Sequence, residues 1–227
     1  MGRPLANEFS WSKSRHDKMS ECLRAYYLHY YLSWGGWEQE APREIRRLYI
    51  LKKLSSRWSW AGSVVHDSIR NALLDIRVGR PVDPARSIER AYLQMRDDFR
   101  HSMHKGYWQE RSRRDFSGLV EHEYGEGVSP EQWKQNWEAA KASLAWFFSS
   151  RWIPLARALP SQRWVEVDNH SFDESVFHLE GVKVFAIPDF VYLDEDGAPV
   201  VVDWKTGKAR EGYDEQVLGY ALYLSSR

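Results

Sequence analysis

Ile187-Pro188-Asp189-Phe190-Val191-Tyr192-Leu193-Asp194-Glu195-Asp196-Gly197-Ala198-Pro199-Val200-Val201-Val202-Asp203-Trp204-Lys205-Thr206-Gly207 is the stretch that decides the fold. Two runs rich in β-branched and aromatic residues flank Asp194-Glu195-Asp196-Gly197, a cluster of turn formers. The pattern predicts a β-hairpin. With its turn centred on Asp196, residues whose numbers sum to 392 face one another, and Asp189 and Asp203 are such a pair. Directly opposed Cβ atoms lie roughly 5 Å apart. Lys205 follows Asp203 by two residues, and the strand period of two puts it on the same face. One geometric assumption thus gathers two carboxylates and an ammonium.

Such a cluster is unusual as mere scaffolding. Phe190, Val191, Tyr192, Val200, Val201, Val202 and Trp204 give both faces of the hairpin an apolar character. Two carboxylates opposed in that setting repel each other and lose hydration. Lys205 supplies one compensating charge, and a divalent cation, which prefers oxygen ligands, would supply two. The plainer alternative leaves both acids at solvated strand ends with no chemical role. Lys205 is nevertheless the one lysine of ten with an acid two positions before it, and Pro188-Asp189 is the one Pro-Asp pair.

Upstream, Trp164-Val165-Glu166-Val167 alternates as a strand does, and Val182 to Leu193 reads as the first arm of the hairpin. Downstream, Asp214 to Ser225 reads as a helix, with Gln216 and Tyr220 four apart on one face. Before residue 160 the periodicity is helical. One helix is expected from a cap at Ser12 or Ser14 through Met19, Leu23, Tyr26, Tyr27 and Tyr30. Others are expected over about 44–55, after Gly62 (Val65, Ile69, Ala72, Leu73, Ile76), from Pro84, and from Pro130 behind a Ser129 cap. His101 to Gly127 reads as a loop or short helix. The predicted class is α+β: a small mixed sheet with a hairpin, flanked by helices, behind a large helical part. The expected division is 1–160 for the helical part and 161–227 for the sheet core with its following helix, together one compact unit.

Asp189, thirteen residues, then Asp203-Trp204-Lys205 resembles the signature of the PD-(D/E)XK nuclease superfamily, and Asp203-Trp204-Lys205-Thr206-Gly207 resembles its RecB-like branch in particular. That branch includes recombination exonucleases and CRISPR-associated prespacer nucleases. His66 in Gly62-Ser63-Val64-Val65-His66 is similar to the branch's helix histidine, and Gln216-Val217-Leu218-Gly219-Tyr220 to its Gln-x-x-x-Tyr motif. Ser12-x-Ser14 with Cys22-Leu23-Arg24-x-Tyr26-Tyr27 is similar to its N-terminal segment. The resemblance spans about residues 9–227 and implies a restriction-endonuclease-like core, in which the hairpin is catalytic, and a metal-dependent deoxyribonuclease. It implies Asp189, Asp203 and Lys205 as catalytic residues, and His66, Asp189 and Asp203 as ligands of Mg2+ or Mn2+. Gln216 and Tyr220 would position the substrate or the lysine, with Glu166 as a further acid. Iron–sulfur members need three more cysteines, whereas Cys22 is the one cysteine here, so no cluster is expected. The resemblance also implies a strand after the 214–225 helix, so the expectation is either a shortened chain or a helicase or other protein partner that completes the sheet.

Bulk composition narrows the rest. The chain has 227 residues, 43% of them apolar, enough for a folded core. Its 32 basic and 32 acidic residues balance, so contact with nucleic acid must be local. Arg43, Arg46, Arg47, Lys52, Lys53 and Arg57 form the densest basic run, which fits either such a patch or a solvated helix face. A narrow channel for single strands or DNA ends suits the aromatic content better than a broad duplex-binding face. There is no long apolar run and no leader-like start, so the cytoplasm is the expected compartment, with no membrane partner. Two other classes stay open: a catalytically silent nucleic-acid-binding module of a larger complex, and a metal hydrolase with a small-molecule substrate.

Overall fold

The computed structural model describes residues 6–109, 118–168, 176–207 and 213–226. A two-residue strand, β1 (Ser10–Trp11), precedes helices α1 (Lys13–Glu21) and α2 (Leu23–Tyr27), and α2 runs into a π-helical turn at Leu28–Leu32. Periodicity predicts one helix here, but the backbone breaks at Cys22, which is extended (φ −162°, ψ 112°). The Cys22 Sγ accepts from Ala25 N at 3.4 Å and so caps α2. Ser12 caps α1 as expected, accepting from Arg15 N at 3.2 Å.

Next come α3 (Arg43–Lys52), β2 (Leu54–Ser55), α4 (Arg57–Arg77) and α5 (Pro84–Met103). Strand β3 (Gly118–Leu119), α6 (Val120–Tyr124), α7 (Pro130–Ser149) and α8 (Trp152–Ala158) follow. The helix expected after Gly62 in fact starts at Arg57, because Ser56 accepts from Ser59 N at 3.2 Å, and it carries Gly62 inside. Ser129 caps α7 through a full capping box with Gln132. In the stretch expected to be irregular, α5 continues through His101 to Met103, and residues 110–117 lie outside the described residues. Helix α8 has no counterpart in the sequence reading.

The remaining elements are β4 (Trp164–Val167), β5 (Val176–Leu179), β6 (Val182–Phe185), β7 (Phe190–Leu193), β8 (Pro199–Val202) and α9 (Tyr213–Ser225). They build two three-stranded sheets: antiparallel β4-β7-β8, and β1-β6-β5, in which β1 runs parallel to β6. The Val182–Leu193 run therefore forms two strands in two sheets rather than one hairpin arm. Pro188 sits between them and has no N–H to continue a ladder. A second hairpin, β5–β6, turns at Glu180-Gly181 with φ of +48° and +81°, the positive pair that a tight primed turn requires.

One apolar core joins the helices to the first sheet. Trp60, Val64, Val65, Ile69 and Leu73 of α4 pack with Leu144 and Phe147 of α7 and with Phe190, Val202 and Trp204. A smaller cluster of Phe177, Val184, Ala186, Tyr220 and Tyr223 seats α9 on the second sheet. Among the described residues no helix is long and apolar enough to cross a membrane.

The N-terminal helices carry a titration of their own. Burial, then the charges of Lys52, Lys18 and Arg15, lower the His29 pKa from 6.5 to about 4. The Lys52 Nζ also donates to the His29 carbonyl at 3.2 Å. The folded state thus resists a proton that the unfolded chain accepts. Stability is complete above about pH 6.5 and falls as pH drops toward 4. Urea midpoints measured from pH 7 to pH 5 are expected to fall, and less steeply in His29→Asn. An unchanged slope in that variant would contradict the burial described.

Candidate active site

Strands β7 and β8 pair Phe190 with Val202, Val191 with Val201, Tyr192 with Val200 and Leu193 with Pro199, the register expected from the sequence. Asp189 and Asp203 directly flank the Phe190–Val202 pair, at the open end of the hairpin. The Trp204 N–H donates to Asp189 Oδ2 at 2.5 Å, which bridges the two segments. Both carboxylates are largely buried, with side-chain exposures of 14% and 17%. Lys205 Nζ forms an ion pair with Asp203 Oδ2.

Two distant elements close on this end of the hairpin. From α4, His66 Nδ1 stands 3.3 Å from Asp189 Oδ1. Burial lowers the affinity of His66 for a proton, but the hydrogen bond to Asp189 and the charges of Asp189, Asp203 and Asp168 outweigh it, and the pKa is raised. The site is therefore a region of negative potential. From α9, Tyr220 donates its hydroxyl to Asp203 Oδ1 at 2.9 Å and to the Ile187 carbonyl at 3.3 Å. Burial, then the charge of Asp203, push the phenol well above its usual range, so it stays protonated. Gln216 Nε2 donates to Asp203 Oδ1 at 3.3 Å and to Tyr220 Oη at 2.6 Å, while its Oε1 accepts from Lys205 Nζ at 3.1 Å. Gln216 thus ties the lysine to the carboxylate.

Asp189, Asp203, Lys205, His66, Gln216 and Tyr220 accordingly form one connected cluster. Glu166 lies buried on β4, beside Val191 of β7, and accepts from Tyr223 Oη at 2.7 Å. Tyr220 and Tyr223, on one helix, anchor a carboxylate each. Three contributors escaped the sequence reading. Asp168 adds charge at His66, and its N–H donates to the Asp189 carbonyl at 2.9 Å. Arg70 Nε donates to the Asp168 carbonyl at 2.7 Å, fixing α4 to the end of β4. At Gly62 of α4 a Cβ would stand 2.8 Å from Thr206 Oγ1, so the bare glycine lets the segment after Asp203 close on the helix. Only the Gly62–Thr206 approach had a signal in the sequence, a glycine one turn before the histidine.

Among the described residues no three His, Cys, Asp or Glu side chains already stand together as a metal-holding group. In this arrangement the carboxylates meet proton donors instead: His66 and the Trp204 amide on Asp189, Lys205, Tyr220 and Gln216 on Asp203. The donor set of two carboxylates and an imidazole fits a divalent cation chemically, and the negative potential at His66 favours one.

The family model of the PD-(D/E)XK nuclease superfamily matches residues 10–227. The chain belongs to that superfamily, whose members are generally metal-dependent nucleases that use divalent cations, typically Mg2+ or Mn2+. No curated protein and no solved structure matches it.

Proposed function

We propose that the chain is a divalent-metal-dependent deoxyribonuclease of the RecB-like branch. It would hydrolyse DNA phosphodiester bonds at ends or in single strands, in repair, recombination or antiviral CRISPR-type defence. The observation that carries this reading is the cluster in which α4, the hairpin and α9 converge on Asp189 and Asp203. Asp189, Asp203 and His66 would hold the cation. When bound, Mg2+ or Mn2+ polarises the scissile phosphate and lowers the pKa of a bound water. Lys205 keeps its ammonium beside Asp203, where it orients the attacking water or meets the charge that grows on the phosphate. Gln216 holds that ammonium and the Asp203 carboxylate in a fixed relation, and Tyr220 fixes the carboxylate's orientation. Glu166 acts at one remove, steadying α9 through Tyr223. This reading implies a cytoplasmic enzyme that works with a helicase or other protein partner.

The test is cleavage of end-labelled single-stranded, linear duplex and circular DNA with manganese, magnesium or chelator. Cation-dependent cutting of single-stranded and end-bearing substrates is expected, and the circle separates endonuclease from exonuclease. No cutting of any substrate by folded, cation-loaded protein would overturn the proposal and leave a binding module.

A further inference from the structure

A cavity of about 590 Å3 opens directly beside Asp203 and Lys205. Its walls are apolar and aromatic: Trp146 of α7, Trp152 of α8, Trp204 of the segment after β8, and Ile69 of α4. Trp146 is 61% exposed, on the helix that buries Leu144 and Phe147, so its ring offers an open face beside the cavity. Trp152 and Trp204 meet edge to face at 5.1 Å, and the Arg151 guanidinium lies 4.9 Å over the Trp152 ring. Trp204 is only 8% exposed, and its buried indole N–H meets no acceptor among the described residues. The pocket therefore combines flat aromatic surface with one carboxylate and one ammonium beside it. A ligand that suits both has a flat ring and an attached phosphate.

Resting on the nuclease reading above, we infer that this pocket seats one unpaired nucleobase of the DNA strand being cut, the base next to the phosphate held at Asp203 and Lys205. Trp146 is the stacking platform. A base in a duplex is already paired and stacked and presents no free face, so the pocket selects single strands or frayed ends. The size is that of an ordinary small-ligand site and accommodates one nucleotide rather than a helix. Trp146 becomes a specificity residue: it grips the base, while the cluster at Asp203 acts on the phosphate.

The test is fluorescence anisotropy with a labelled single-stranded 12-mer in chelator, where no cutting occurs, comparing wild type, Trp146→Ala and Trp146→Phe. Stacking on one aromatic is worth roughly 5- to 150-fold in affinity, so Trp146→Ala is expected to weaken binding by that order, with Trp146→Phe recovering most of it. A series of strands with one abasic position walked along the 12-mer supplies the control. At one position the abasic strand should lose affinity for wild type and lose little more for Trp146→Ala. Near-UV circular dichroism matching wild type shows that the variant is folded, as expected for an exposed side chain. Equal binding by wild type and Trp146→Ala, additive losses at every abasic position, or no binding by wild type overturns the inference. Cation-dependent cutting in the presence of any of these results would leave the nuclease reading standing. Base-dependent coupling to Trp146 without cutting would remove that reading and keep the pocket.

Discussion

Asp203→Asn is expected to slow cleavage roughly 10³-fold or more while leaving the urea midpoint unchanged or slightly raised. Asparagine keeps the shape of the side chain and an oxygen for Tyr220, which bonds Oδ1 at 2.9 Å. What it removes is charge, both from the ion pair with Lys205 and from any cation held with Asp189. Lewis-acid stabilisation of a phosphoryl transition state is worth several kcal/mol, and each 1.36 kcal/mol is a factor of ten in rate. The fold loses little. Lys205 is over a third exposed, so its pair with Asp203 contributes weakly to stability, and repulsion between Asp189 and Asp203 is relieved. Steady-state cleavage beside calorimetry with Mn2+ checks both halves. Retention of a tenth or more of the wild-type rate would remove Asp203 from the metal-holding set.

Phe147→Ala is expected to cost about 3–5 kcal/mol of stability, the usual range for truncating a fully buried phenylalanine. Phe147 is 0% exposed and meets Trp204 edge to face at 5.4 Å and 80°. Trp204 lies between Asp203 and Lys205 in the chain, and its amide bonds Asp189. The cavity would therefore loosen the segment to which we assign the chemistry. A turnover defect should appear even at temperatures where the variant is fully folded, because small misplacements of reacting groups are costly. Phe147→Leu should retain most of both. A loss below about 1 kcal/mol in Phe147→Ala would show that α7 does not anchor this segment.

The hairpin was the most legible part of the chain. Its register depends on a two-residue period and a turn of good turn formers, both local, and the flanking positions of Asp189 and Asp203 follow from them. Gln216 and Tyr220 were legible as one helix face, since that too is local geometry. The split of Val182–Leu193 between two sheets was not, because composition alone cannot say which neighbour a strand selects; Pro188 marks the break only in hindsight. The parallel pairing of Ser10-Trp11 with Lys183-Val184 joins residues far apart in sequence and leaves no periodic trace in so short a strand. Cys22 read as a helix residue because its capping bond is a sulfur contact that propensity does not anticipate. Asp168 and the tryptophan-walled pocket depend on how α4, α7 and α8 pack, which is tertiary information.

The distances along the chain between the parts of the site set the order in which a newly made protein can acquire it. Asp189 and Asp203 come together through one local hairpin of fifteen residues, an event of microseconds. His66 reaches Asp189 across 123 residues, which requires the helical part and the sheet to dock and carries the larger loop-closure entropy. The bonds from Gln216 and Tyr220 wait for α9, which leaves the ribosome after every other element described. A nascent chain therefore holds its two acids before their orientation is fixed, and the cluster is complete only once residues 213–225 have folded back onto the hairpin.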